Sequence, residues 1–305
     1  MRFPKVASSS RGMTLIELLI VVSIISTIFG LFLGGVQKVR SVAAYTERIE
    51  WREQHKLGET APRTQPIRVL FIGNSFVYYT DLPSVIAGMA KAANKTPLIV
   101  ESQVAGAHSL KMNWDRYGPK ERIADPTVEW DFVVLQEMRG LPVARTGPDG
   151  FGFLFGRNEY FVPYAKKFDR EIQERKAITM LFMTWKTPAL TSVTQEEWTD
   201  SHIRLTKEIR GECSPVGMAL EKAMQRRPGN YLFNDLYPGH LSEAGTYLAA
   251  CTFYAALFNE SLLGLPCRIE RPDNSAITVQ PSDATFYQTC AWDAYQDYRK
   301  RMKTP

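Results

Sequence analysis

Apolar residues follow several different rhythms along this chain. From Met13 to Leu33 they form a nearly unbroken run, interrupted by one charge, Glu17. About 20 such residues span a bilayer as a helix. Residues 43–66 then turn polar and charged, with Arg48, Glu50, Arg52, Glu53, His55 and Lys56. Here the helix is expected to continue to about residue 55, with His55 solvated, and to give way to a linker over 56–66. The prolines of Thr60-Ala-Pro-Arg-Thr-Gln-Pro66 mark the break. From Ile67 short apolar runs alternate with amphipathic stretches. Ile67–Ile72, Leu98–Val104, Asp131–Gln136 and Ala177–Met183 read as strands, and Tyr231–Phe233 as a short fifth.

Between and after these runs the spacing predicts helices. Leu82–Asn94 has Asp81 as N-cap and Pro83 in its first turn. Tyr160–Arg175 precedes the fourth strand. Thr194-Gln-Glu-Glu197 is a capping box opening a helix through about Ile209. Val216–Arg226 follows Pro215, and Ser242 caps a long helix to Asn259. Strands alternating with helices imply a parallel sheet covered on both faces. The Gly- and Pro-rich stretch Gly140–Arg157 is expected to be a loop flanking the site.

Composition narrows the function classes. The 305 residues are 45% hydrophobic and 23% charged, an ordinary globular profile. The net charge of +5 is modest and scattered, apart from Arg299, Lys300, Arg301 and Lys303. That cluster reads as a solvated, frayed end. Without a basic stripe interleaved with aromatics, nucleic-acid binding is not expected. Cys213, Cys251, Cys267 and Cys290 match no zinc spacing. In an exported domain Cys267 with Cys290 is the first pair to test. No metal cluster or phosphate-cradling loop stands out, so neither metal nor cofactor is expected.

The chemistry gathers at predicted strand ends. Ser75 follows the first strand in Ile72-Gly73-Asn74-Ser75-Phe76. His240 lies in Tyr237-Pro-Gly-His-Leu-Ser242, just before the long helix. A strand-end serine and a loop histidine are the parts of an activated hydroxyl nucleophile. At the C-terminal rim of a parallel sheet, Gly106 and Gln136 join them after the second and third strands. The backbone N–H groups of Ser75 and Gly106, with the Gln136 amide, are the expected oxyanion donors. Asn74 is expected to hold the turn by side-chain-to-backbone bonds. Asp235 either reaches His240 through a local bulge or leaves a Ser–His dyad oriented by a backbone carbonyl. His108 reads as a surface loop residue, His202 as solvated among Asp200, Arg204 and Lys207, and Trp185 as a core or rim aromatic.

Two resemblances add to this reading. Arg11-Gly12-Met13-Thr14-Leu15-Ile16-Glu17 and the apolar run behind it resemble the class III leader of type IV pilins and pseudopilins, with Met13 where Phe is commoner. The resemblance implies cleavage after Gly12 by a prepilin peptidase, methylation of the new terminus at Met13, and pairing of Glu17 with the terminal amine of a neighbouring pilin-like subunit. A carboxylate inside a membrane helix is costly unless paired. A plain signal anchor carrying a Glu is the alternative.

Phe71-Ile-Gly-Asn-Ser-Phe76, Val104-Ala-Gly-Ala-His-Ser-Leu110 and Val133-Val-Leu-Gln136 resemble blocks of the SGNH (GDSL-like) hydrolase family, in a bacterial subgroup. The family's triad Asp, three residues before the His, is Tyr237 here. This resemblance covers about residues 67–265. It implies a flavodoxin-like three-layer α/β/α fold with a five-stranded parallel sheet, preceded by the long N-terminal hydrophobic helix. The organisation expected is a leader over 1–12, a pilin-like transmembrane helix over 13–55, a linker over 56–66, the hydrolase-like domain over 67–265 and a C-terminal extension over 266–305. The activity implied is that of a serine esterase acting on a small ester or an acylated carbohydrate. It would be tethered by residues 13–33 to the inner membrane in a single pass, with the domain outside the cytoplasm. The alternative is a catalytically inactive, pseudopilin-like structural or binding protein on the same scaffold.

Overall fold

Strands form where the apolar runs are most deeply buried, and the second unit of the chain is built around them. The computed structural model describes residues 14–30, 32, 36, 65–138, 158–186 and 193–304. The chain divides into two compact units, Met1–Glu50 and Trp51–Pro305. In the first, a helix, α1, covers residues 15–30. Its start is a capping box: the Glu17 carboxylate accepts from the Thr14 N–H at 2.7 Å and from its hydroxyl at 2.9 Å, while the Glu17 N–H donates to Thr14 Oγ1 at 3.3 Å. Among the described residues no helix is long and apolar enough to cross a membrane. Gly12, Met13, the helix continuation past residue 36, His55, the expected linker up to residue 64 and the loop 140–157 lie outside the described residues.

In the second unit β1 (Ile67–Gly73) is flanked by β2 (Leu98–Val104) and β3 (Phe132–Leu135). β4 (Ile178–Phe182) and β5 (Glu212–Ser214) complete a five-stranded sheet of order β2-β1-β3-β4-β5, with every pairing parallel. This is the flavodoxin-like order, whose strand C-termini face a single rim. The short helix α2 (Ser75–Tyr78) leaves β1 directly. One helical layer contains α3 (Leu82–Ala92), α8 (Val216–Arg226), α9 (Glu243–Phe258) and α10 (Pro281–Lys303), packed in series. The other contains α4 (Leu110–Asp115), α5 (Pro119–Ala124) and α6 (Asn158–Glu174), with α7 (Gln195–Ile209) beyond. Helix α9 is buried from Gly245 to Phe258, so it is apolar on all sides rather than along a stripe.

Several expectations are corrected. The fifth strand is Glu212–Ser214, because β4 offers its free edge there and Cys213 and Ser214 are buried against it. Tyr231 is instead exposed, and Phe233 forms a single antiparallel bridge with Leu241. The basic tail is not frayed. It is the last part of the 23-residue α10, whose Ala284, Tyr287, Ala291, Tyr295 and Tyr298 are buried. Arg301 there pairs with Glu196 at 2.8 Å and Asp200 at 2.6 Å on α7. His202 is buried rather than solvated: it packs 5.0 Å from Phe161, and burial pushes its pKa down to about 4. All four cysteines are free thiols. Residues 268–278 form a two-stranded antiparallel hairpin, β6 (Arg268–Glu270) with β7 (Ala276–Thr278).

Candidate active site

The serine stands where β1 stops. Asn74 is extended and buried, and its amide side chain and N–H brace the turn. Its Oδ1 accepts from the Phe76 N–H at 3.0 Å, its Nδ2 donates to His108 O at 3.0 Å, and its own N–H donates to Gln136 Oε1 at 2.8 Å. This is the side-chain-to-backbone support that its residue type favours. Gly73 must be a glycine, because a Cβ there would lie 2.5 Å from Gln136 Oε1. Asn113, fully buried on α4, donates from Nδ2 to Gly73 O at 3.1 Å and to Ser109 O at 3.2 Å.

The histidine comes from the loop before α9. Asn234 shapes this loop: its Oδ1 accepts from the N–H groups of Leu236 at 2.9 Å and Tyr237 at 3.0 Å. The Asn234 N–H donates to His240 O at 2.9 Å, and the His240 N–H donates to Tyr237 O at 3.0 Å. Trp185, buried, donates from Nε1 to Gly239 O at 3.1 Å and stacks on Phe76 at 4.7 Å. The imidazole packs against Tyr79 at 4.7 Å and edge-on to Phe76 at 5.4 Å, both from the segment that carries the serine. With the ring held this way, His240 Nε2 lies 2.8 Å from Ser75 Oγ, across a separation of 165 positions.

The remaining expected residues divide. Gly106 sits on the neighbouring exposed loop beside Tyr78, whose hydroxyl lies 3.2 Å from where a Cβ would project. Among the described hydrogen bonds, neither the Ser75 nor the Gly106 N–H is a donor. His108 is half-buried and turns its Nδ1 to Gly106 O at 2.9 Å. Gln136 departs from the expected role of oxyanion donor. It is fully buried under the turn, its Oε1 accepts from the Asn74 N–H and its Nε2 donates to Glu137 O at 2.5 Å. Its amide oxygen and one of its two amide N–H groups are therefore engaged. Asp235 departs as well: it is exposed, and among the described residues it enters no hydrogen bond or ion pair. The Asn234 turn directs the chain so that a carboxylate five positions before His240 faces solvent.

Reasoning from sequence missed Asn113, Asn234, Tyr79 and Glu137. Asn234 had a signal, an Asn placed before a Pro-Gly turn. Glu137 had none, because a single acid after an apolar strand reads as a solvated strand end. It is 1% exposed, and burial pushes its pKa up to about 8 against two backbone N–H bonds that lower it. Beyond Tyr79 opens a cleft of about 370 Å³, lined among others by Asp81, Glu243, Thr246, Arg271 and Asp273. Asp81 takes the N-cap position of α3 in the left-handed region, with no side-chain capping bond. Among the described residues, no group of three or more His, Cys, Asp and Glu side chains gathers as a metal site would need.

Comparison with known proteins separates the two units. Residues 7–33 match the prokaryotic N-terminal methylation motif, so the chain carries a prepilin-type segment there. None of the curated proteins matches the sequence. Among solved structures, a DUF4886 family protein from Bacteroides uniformis is similar over 79% of this chain and 98% of its own, with 20% identity and a TM-score of 0.54. LAE5, an alpha/beta hydrolase enzyme from the metagenome of Lake Arreo, Spain, covers 64% of this chain and 97% of its own at 14% identity and a TM-score of 0.49. Axe2, an acetylxylan esterase from Geobacillus stearothermophilus, covers 66% and 96% at 13% identity and a TM-score of 0.48. At these identities the first likeness speaks for the fold, in agreement with the strand order.

Proposed function

We propose that this protein is a membrane-tethered serine ester hydrolase that removes acetyl or other short acyl groups from a carbohydrate or another small ester. The contact of 2.8 Å between Ser75 Oγ and His240 Nε2 carries the reading. With Nε2 unprotonated, the imidazole takes the hydroxyl proton as Oγ attacks the ester carbonyl carbon. The N–H groups of Ser75 and Gly106 are the donors for the oxygen that becomes negative. When the tetrahedral intermediate collapses, the carbon–oxygen bond to the alcohol breaks and the imidazolium returns its proton to the departing alkoxide. Water, deprotonated by the same nitrogen, then attacks the acyl-serine and releases the acid and the free hydroxyl. Asn74 and Gln136 keep the nucleophile turn in shape. Phe76 and Tyr79 fix the His240 ring against Ser75.

The alcohol side of the ester extends past Tyr79 toward the cleft. Its Asp81 and Glu243 carboxylates suit a ligand with several hydroxyl groups. The leader is cut after Gly12 by a prepilin peptidase, leaving Met13 as the methylated terminus. Residues 13–33 anchor the chain in the cytoplasmic membrane in a single pass, with the hydrolase domain outside. Glu17 meets the terminal amine of a neighbouring pilin-like subunit.

The test is labelling of the full-length protein in detergent with a fluorophosphonate probe, alongside hydrolysis of p-nitrophenyl acetate. Labelling and turnover that vanish in Ser75→Ala support the enzyme. The exposed position of Asp235 favours a second reading, an inactive pseudopilin-like binding protein. Folded wild-type protein that takes no label and hydrolyses nothing favours that second reading instead.

A further inference from the structure

Glu137 is a buried carboxyl side chain that the proposed chemistry leaves without a task, yet it closes a ring of hydrogen bonds around the nucleophile. Its Oε1 accepts from the Leu110 N–H at 3.1 Å and from the Met138 N–H at 2.6 Å. Leu110 opens α4, directly after the loop that carries Gly106. From that loop the ring continues through His108 O to Asn74 Nδ2, and from the Asn74 N–H to Gln136 Oε1. Gln136 precedes Glu137 in the chain, so the circuit returns to its start. Three segments are thereby joined: the end of β1, the Gly106 loop and the end of β3.

We propose that Glu137 is a positioning residue of the active site, whose carboxyl pins the α4 end of the Gly106 loop and so sets where the Gly106 N–H stands relative to Ser75. The proposal rests on the esterase reading for its kinetic consequence. The protonation of the group follows from its surroundings. Burial raises its pKa to about 8, opposed only by the two backbone N–H bonds. Oε2 is buried and has no hydrogen-bond partner among the described atoms. At the level of Glu137 the adjacent strands are followed by neutral residues, Asn74 after β1 and Met183 after β4. On α4, Lys111 pairs with Asp115, and His108 in the preceding loop turns to Gly106 O. None of these acts on the Glu137 carboxyl. Burial thus favours the protonated acid at neutral pH, with one oxygen accepting both N–H groups. Ionisation leaves Oε2 charged and unpaired in the core, which strongly disfavours the closed ring.

A glutamine reproduces the acceptor and the shape of the neutral acid, whereas alanine removes both. The test measures kcat and KM for p-nitrophenyl acetate on the full-length protein, Glu137→Gln and Glu137→Ala, from pH 6 to 10. Glu137→Ala is expected to lower kcat at pH 7 by about 10²-fold, the scale of a misplaced oxyanion donor, with KM little changed. Glu137→Gln is expected to rescue most of that loss. Wild type should lose activity as pH rises through about 8, in a limb that Glu137→Gln lacks. An undiminished kcat in Glu137→Ala, or an unchanged alkaline limb in Glu137→Gln, overturns the proposal. If Glu137→Ala does not fold, the pH profile of Glu137→Gln decides. If wild type has no esterase activity, the hydrolase reading fails separately. Amide hydrogen exchange of Leu110 then judges the clamp. Protection that drops above pH about 8 in wild type but not in Glu137→Gln supports it, and identical protection in the two proteins overturns it.

Discussion

The two halves of the candidate site are held by different forces. Ser75 sits on a turn whose supports are core residues: Asn74, Asn113, Gln136 and Glu137 are at most 3% exposed. Each engages backbone groups at the end of β1, β3 or the start of α4. His240 hangs from a surface loop, where Leu236 is 83% and Tyr237 55% exposed. The loop is shaped by Asn234 and held by one bond from Trp185 to Gly239 O, and the ring lies against aromatic side chains. Buried polar bonds are costly to leave half-made, whereas a loop bond at the surface is readily replaced by water. Ser75 is thus placed by the folding of the core, and His240 by local turn chemistry and packing.

Substitutions on the two sides should therefore differ in whether they cost stability, activity or both. The largest effect is expected at Gly73→Ala, which forces a methyl into Gln136. It should lower stability by about 1–3 kcal/mol, as overpacking does, and abolish most labelling by the fluorophosphonate probe. Chemical denaturation and probe labelling together check it. Asn74→Ala comes next. It leaves the partly buried Phe76 N–H and His108 O without their bonds, at about 1–3 kcal/mol, and is expected to depress kcat along with the melting temperature.

On the other side, Asn234→Ala should lower kcat by about 10-fold while the melting temperature barely moves, because the bonds it loses are solvent-exposed. A comparable loss of stability would mean that the histidine loop belongs to the core after all. Asp235→Asn is expected to change kcat less than about 2-fold. A fall approaching the ~10⁴-fold seen when a triad carboxylate is lost would show that Asp235 orients His240 during turnover. A further effect, on stability alone, separates the core side by pH. Glu137 ionises near 4.5 when unfolded and at about 8 when folded, so its contribution to stability is complete below 4.5 and is lost as pH rises to about 8. Wild type should therefore melt at progressively lower temperature than Glu137→Gln across that interval.

Much of this was legible before any coordinates. The first four strands emerged from apolar runs because buried parallel strands need them, and their boundaries lie within a residue or two of the observed ones. The capping box at Thr194 appears as read, with the Glu197 N–H donating to Thr194 Oγ1 at 3.1 Å. The fifth strand was misplaced because Tyr231-Leu-Phe233 is apolar and Glu212-Cys-Ser214 is not. Three residues carry too little pattern to outweigh that, and the strand exists because β4 presents an unpaired edge. His202 looked solvated because charged residues surround it in sequence. On the helix it lies one turn from Trp198, whose carbonyl meets its Nδ1 at 2.9 Å.

The amino-acid order alone determined the prepilin-type leader, the alternation that builds a parallel sheet, and the serine and histidine as the pair to watch. Those properties are local: each depends on side chains near one another along the chain. Only the tertiary structure decided that His240 Nε2 meets Ser75 Oγ, that Gln136 braces the turn from beneath, and that Glu137 is a buried acid and Asp235 a solvated one. Protonation, exposure and hydrogen-bond partnership belong to the surroundings that folding creates, and distant segments supply those surroundings.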